Sequence, residues 1–268
     1  MFFIILVHVH EFIYRSMLSI SNNMDANEFY LKHKDISWKM PDLPEGIHTD
    51  YEIADWLLNK SDFGWLELDI EFDLNSWKAE TTAATFVDHR GQEHPGWNSC
   101  CIHGISSEKT GAWTNYGYKN EDDVPYQWTD ISRNTPTIKK FWQQFPYESY
   151  RRIRFMEVEP NGVVSPHSDM PGRLPGENNF DALKFGVPVN VAIIHPNNCY
   201  MSLENYGCIP WAEGKAFIIN IRNYHSVINF SNQSRIHLIA HGKPNSRIND
   251  FVELVARSYR KQYERDRI

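Results

Sequence analysis

The chain has little cysteine: Cys100, Cys101, Cys199 and Cys208 are the only four in 268 residues, and none forms a C-x-x-C pair. That argues against a disulfide framework and a thiolate-rich zinc site, and it favours a reducing, cytoplasmic setting. Positive charge is also short, with 27 Lys and Arg against 34 Asp and Glu and a formal net charge of −7. No nucleic-acid partner is expected, because affinity for a phosphate backbone is carried by Lys and Arg. Long apolar runs are missing. Phe2–Val7 is soon interrupted by His8, His10, Glu11 and Arg15, too short a stretch to span a bilayer. It also lacks the positive n-region and the cleavage site of a secretory signal, so no membrane partner is expected. There is no internal repeat, low-complexity stretch or interdomain linker.

What is present is a spaced set of polar residues. His167-Ser168-Asp169 is followed 56 residues after the Asp by His225, and ten residues later by Arg235. An H-x-D pair with a distant second His is the ligand pattern of the two-His, one-carboxylate facial triad, which suits iron(II) and leaves one face of the octahedron open. Short H-x-D patterns arise often by chance; the added His and Arg make this set more specific. Other histidines (His89, His94, His103, His195 and His241) lack a partner at ligand spacing.

The context of these residues reads as β-structure. Tyr150 to Glu159 alternates charged and apolar residues, the period of a half-buried strand, and Pro160-Asn161-Gly162 ends it as a turn. Val187–Ile194, Ala216–Ile221, Tyr224–Asn229 and Arg235–Ala240 are short, rich in Val, Ile and aromatics, and bounded by turn formers. The expected fold class is mainly β with flanking helices around a double-stranded β-helix, a jelly-roll core of the cupin type. His167 and Asp169, two apart on an extended segment, should point to the same side.

Ser231–Gln233 reads as the turn of a hairpin that would set Arg235 opposite Asn229. In that register Arg235 would stand four residues, roughly 13 Å, from His225 along the strand. A reaching Arg could then meet the far end of a five-carbon diacid chelated at the other end by a metal. The planar guanidinium suits a carboxylate because it donates two parallel charge-assisted hydrogen bonds.

With these residues in place, the segment from Val163 to Gly242 resembles the aspartyl/asparaginyl β-hydroxylase-like family of Fe(II)/2-oxoglutarate-dependent oxygenases. The resemblance rests on Pro166–Asp169, Asn190–Pro196, Trp211–Ile219, His225 and Arg235–Ala240. It implies His167, Asp169 and His225 as ligands to Fe(II), 2-oxoglutarate as cosubstrate with its 5-carboxylate on Arg235, and dioxygen as co-reactant. The implied activity is hydroxylation of an unactivated C–H bond of an amino acid, a peptide side chain or a related small molecule, with succinate and carbon dioxide as coproducts. Glu213-Gly214-Lys215 would be structural. Three departures bear on substrate. Asp169 stands where the animal peptidyl β-hydroxylase has Gly, so this chain resembles relatives with a complete triad; the retained carboxylate also argues against a halogenase. Asn190 stands where that enzyme has a 2-oxoglutarate-binding His, and is carried over as a cosubstrate contact because an amide can still donate a hydrogen bond. Met156 stands where it has a cosubstrate-binding Ser, and cannot replace it. The alternatives are a non-oxidative metal-binding cupin (isomerase or sensor) and a non-catalytic binding protein on the same scaffold.

Residues 1–23 are expected to be a dispensable extension, so that a chain begun at Met24 keeps its fold and activity. Residues 24–268 then form one oxygenase domain: an α/β region over about 24–148, the jelly roll over about 149–243 and a helix over about 248–266. Within it, Tyr51–Leu58 has helical spacing, Trp65–Phe72 and Trp97–His103 read as strands, and Pro136 opens a helix. The 170–185 segment, rich in Pro and Gly, is a candidate lid, and Gly111–Gly117 a second substrate loop. His237 shares the face of Arg235 and reads either as a cosubstrate contact or, preferably, as a satisfied core histidine. The Arg-rich face of the last helix reads as a solvated surface.

Overall fold

The computed structural model describes residues 24–169 and 181–268. Residues 1–23 and most of the candidate lid lie outside the described residues.

Two antiparallel sheets face each other. The larger takes the order β1 (Trp65–Glu67), β10 (Ala216–Ile219), β7 (Pro188–Ile194), β12 (Arg235–Lys243), β5 (Ser149–Val158), β3 (Trp97–Gly104), β2 (Val87–Asp88), with β4 (Gln127–Trp128) also on β3. The smaller runs β6 (Val163–His167), β11 (His225–Asn229), β8 (Cys199–Leu203), β9 (Gly207–Cys208). This is the jelly-roll, double-stranded β-helix arrangement. The α/β region is not set apart from it: β1 and β3 extend the large sheet on either side of the core strands.

The large sheet is buried on both faces, which explains its nearly unbroken apolar strands. Ala216 and Ile218 face one way with Phe155, Val191 and Leu238, into a layer shared with helices α2 (Asp50–Asp55), α3 (Leu74–Glu80), α4 (Pro136–Gln144), α5 (Ala182–Phe185) and α6 (Ile248–Arg265). Phe217 and Ile219 face the other way with Met156 and Val158, against Val227 of the small sheet. Cys100 and Cys101 are buried free thiols on β3, and burial pushes Cys100 up to about 11. Helix α1 (Ala26–His33), capped by Asp25, covers the outside of the small sheet through Tyr30, whose ring lies 4.6 Å from that of Tyr200.

Three expectations need correction. The strand expected over Trp65–Phe72 ends at Glu67, because α6 takes the next backbone: Ser258 Oγ accepts from the Asp69 amide at 2.9 Å, and Gln262 Oε1 from that of Glu67 at 2.7 Å. The helix expected over Tyr51–Leu58 turns from α to π geometry after Asp55. The hairpin expected around Asn232 does not form. β11 lies in the small sheet and β12 in the large one, so Ser231–Gln233 is a crossing between layers, and Arg235 pairs with Val158 on β5. Asn229 drives the crossing: its side-chain amide donates to the carbonyls of Val158, Glu159 and Gln233, which ties both sheets to the turn.

The C-terminal helix buries Phe251, Val252, Leu254, Val255 and Tyr259. Its basic face stays solvent-exposed, as expected, and is also ion-paired with acids from earlier in the chain. Arg257 and Lys261 pair with Asp69, Arg260 with Asp50, Arg265 with Glu67, and the following Arg267 with Asp42.

Candidate metal centre and its cavity

His167 ends β6 and His225 opens β11, and the two are direct partners across the ladder. Their rings lie 4.4 Å apart. Asp169 follows just beyond the strand, fixed by its own amide to the Ile221 carbonyl at 3.2 Å, while Ser168 Oγ donates to the Arg222 carbonyl at 2.9 Å. The H-x-D segment is thus stapled to the residues that lead into His225. One ligand atom from each of His167, Asp169 and His225 lies within 4.8 Å of the others. His167 Nε2 is 3.6 Å and His225 Nε2 is 3.9 Å from the carboxylate oxygens of Asp169.

Each imidazole is oriented by its own backbone. His167 Nδ1 lies 2.8 Å from the Ser165 carbonyl and His225 Nδ1 lies 3.0 Å from the Asn223 carbonyl, each two residues back. A carbonyl can only accept, so both rings hold a proton on Nδ1 and turn Nε2 toward the same point. Burial, and then the neighbouring His225, hold His167 below the ordinary imidazole range, which keeps it neutral. Burial works against charge on Asp169, but His225, His167 and Arg90 outweigh it and hold the carboxyl below its usual range. Two imidazole nitrogens and one carboxylate oxygen fit a divalent iron ion, a hard-to-borderline acceptor.

The triad lies on the wall of a cavity between the sheets. Arg235, Asn190 and Arg154 line it from the large sheet, with Met156, Ile219 and Val227 among its apolar walls. The interlayer crossing is what delivers Arg235 here. It is 3% exposed, its Nε has no partner, and burial pushes it down to about 10. Its Nη2 lies 2.7 Å from Nδ1 of His237, which is fully buried. Burial and then Arg235 keep His237 neutral, so Nδ1 accepts from the guanidinium and Nε2–H donates to His195 Nδ1 at 3.0 Å. His237 does not line the cavity but fixes the group that does. Asn190 touches the same ring at 3.1 Å and also lines the cavity.

Several residues were not singled out from sequence. Arg90 lies 3.7 Å from Asp169 and over the Trp97 ring at 5.4 Å. His94 Nδ1 accepts the Ser165 amide at 3.0 Å and so steadies the strand that carries His167. His241 lines the cavity. Each belongs to a segment distant in sequence or to a face that only the strand register reveals. No residue of Gly111–Gly117 lines the cavity; the Thr110 and Gly111 carbonyls instead accept from Arg152. Glu213 and Lys215 pair with Lys78 and Glu67, a structural use of that turn.

A jelly roll with a His-Asp-His cluster facing a buried arginine defines a metal-dependent oxygenase class. Residues 80–243, more than half of the chain, match the family model described as aspartyl/asparaginyl beta-hydroxylase. The chain belongs to that family of hydroxylases. Among curated proteins, none matches the sequence. Solved structures similar to it include an oxidoreductase of the 2OG-Fe(II) oxygenase family from Burkholderia pseudomallei, 12% identical with TM-score 0.44, over 78% of this chain and 96% of that one. A prolyl-4-hydroxylase from Pseudomonas putida is 11% identical, with TM-score 0.38, over 73% of this chain and 98% of that one. A prolyl hydroxylase from Trichoplax adhaerens, in complex with a hypoxia inducible factor oxygen degradation domain peptide fragment, is 10% identical with TM-score 0.42, over 74% and 89%.

Proposed function

We propose that the chain hydroxylates an unactivated C–H bond of an amino acid, a peptide side chain or a related small molecule, giving succinate and carbon dioxide as coproducts, with His167, Asp169 and His225 holding iron(II). When bound, iron and 2-oxoglutarate supply the oxidising chemistry, with dioxygen, through oxidative decarboxylation of the cosubstrate. The side chains position and shield. His167 and His225 offer Nε2 atoms whose direction is set by the Ser165 and Asn223 carbonyls. Asp169 adds one negative charge to the ligand set. Arg235, preset by His237, receives the 5-carboxylate through its fork, and Asn190 adds a polar contact beside it. Met156, Ile219 and Val227 exclude water from the reacting region. No side chain is required as a general base. Four free thiols support a reducing, cytoplasmic setting.

The observation that carries this reading is the convergence of three ligand atoms on a cavity whose opposite wall holds an unpaired, buried guanidinium. It is tested by anaerobic titration of the protein with Fe(II) and then 2-oxoglutarate, following the visible charge-transfer band, beside His167→Ala and Arg235→Ala. A band lost in the first variant and weakened in the second is expected. No band from metal-loaded wild-type protein rejects the reading and favours the cupin without oxygenase activity.

A further inference from the structure

At one end of the metal cavity lies a small apolar recess that has no task in the site described above. Its walls are Leu58, Phe63, Val187 and Ile218, and it adjoins the metal cavity along Pro188, Ile219 and Ile221, which line both. The recess sits at the margin of the large sheet, where β10 ends and β7 begins. Ile218 and Ile219, which point to opposite faces of that sheet, therefore both reach it. Ile221 also ties it to the metal centre, since its carbonyl accepts the Asp169 amide at 3.2 Å.

Strand register sets the recess apart from the cosubstrate's cation. Pro188 stands opposite His241, six residues along β12 from Arg235, or about 20 Å along the sheet. A molecule seated in the recess and a cosubstrate on Arg235 thus use opposite ends of one cavity. The polar groups at the recess are already committed. Asn220 Nδ2 donates to the Phe63 carbonyl at 2.9 Å, and its Oδ1 accepts from Arg222 Nε at 2.8 Å. Water in a hollow of this kind finds few partners, whereas an apolar group loses none.

The outer wall is built by an irregular turn. The π segment Trp56–Lys60 carries Leu58 into the recess, and π geometry is found most often at functional sites. The next residue, Asn59, clasps the start of α5: its Nδ2 donates to Asp181 Oδ1 at 3.2 Å, and its Oδ1 accepts the Ala182 amide at 2.7 Å. Helix α5 then passes through Gly186 directly to Val187. Gly186 has φ +75°, and a Cβ there would meet the Gly242 carbonyl oxygen at 1.7 Å, so the chain is held close to β12 at this point. Leu58 and Val187 are thereby fixed against each other by hydrogen bonds and close backbone packing.

We propose that this recess is the subsite for an aliphatic part of the substrate, next to the carbon presented to the metal, with Leu58 and Val187 as specificity-determining residues. The assignment rests on the oxygenase reading of the metal cavity.

The test uses the full chain loaded with Ni(II), which stands in for iron without turnover, and with 2-oxoglutarate. Glycine, L-alanine, L-2-aminobutyrate, L-valine and L-leucine are titrated by calorimetry, both free and as their N-acetyl N-methylamides. In at least one of the two series, affinity is expected to rise about fourfold per methylene until the recess is full. Val187→Phe, which fills the recess, should flatten that rise, and Leu58→Ala, which enlarges it, should move the best fit to a longer side chain. Both variants should keep 2-oxoglutarate affinity within about twofold, because Arg235 lies at the other end. A flat series, or no compound bound in either series, leaves the recess a packing gap only and overturns the proposal. So does a rise that Val187→Phe leaves unchanged. If Val187→Phe does not fold, the shift of optimum in Leu58→Ala decides. Failure of the oxygenase reading shows separately, as absence of the Fe(II)–2-oxoglutarate band, while the aliphatic gradient is also measured on metal-free protein.

Discussion

The two walls of the cavity are built by different means. On the small sheet, His167 and His225 are aimed by carbonyls two residues back in their own chain, so the metal wall is locally determined. On the large sheet, Arg235 is aimed by His237, which is braced in turn by His195, just past the end of β7. The charged wall thus adds a second, long-range support to a local contact, since His195 and Asn190 both meet the His237 ring, and it is desolvated, with no carboxylate of its own among the described residues. A metal wall of this kind should fail all at once when a ligand is lost. The charged wall should fail by degrees as its supports are removed.

The largest effect is expected on the metal wall. His225→Ala should reduce iron affinity by more than the about 10- to 100-fold that changes behind a ligand usually cost, as measured by metal competition. On the other wall, His237→Ala removes a hydrogen bond to a charged group, worth about 1.5–3 kcal/mol, or roughly 10- to 150-fold. That loss should appear in the affinity and KM for 2-oxoglutarate, with iron binding unchanged. A loss of iron binding of equal size would erase the distinction between the walls.

Acid should strike the protein at the pH of histidine rather than of carboxylates. Burial lowers His89 to about 2 and His103 and His195 to about 4, and holds His237 and His241 well below the usual range. These groups are neutral in the fold, while the unfolded chain takes up protons below about pH 6.5. The unfolded state therefore binds more protons, and stability falls as pH drops through that value. Thermal melts between pH 7.5 and about 5 should show the decline; a flat profile until about pH 4 would contradict the buried, neutral histidines. The smallest effect is expected far from both walls: Arg265→Ala breaks an exposed pair with Glu67 and should change stability by about 0.2–1 kcal/mol in denaturant titration.

The same division governs what sequence could disclose. His167, Asp169 and His225 were legible because their spacing and strand setting are local, and the strands themselves followed from alternation and turn formers. The route by which Arg235 reaches the cavity was not legible. Ser231–Gln233 has the composition of a hairpin turn, and nothing nearby says that Asn229 will bond to both layers and send the chain across. Arg154 was hidden for a related reason. In an alternating strand, a charged residue reads as facing solvent, yet both faces of β5 are covered, one by helices and one by the small sheet. The role of the C-terminal basic face was equally out of reach, since its acidic partners lie some two hundred residues away.

The contact between α6 and the margin of the large sheet also bears on self-association. β1 is the outermost strand on that side, and the amides of Glu67 and just beyond it, Asp69, would otherwise be open to another chain. Ser258 and Gln262 occupy them with side-chain oxygens, so the helix does for the sheet what a further strand would do, without offering a fresh edge. Two polar side chains are thereby the barrier between a finished sheet and a template for sheet extension. Replacing both with apolar residues would leave the Glu67 and Asp69 amides without acceptors under the helix.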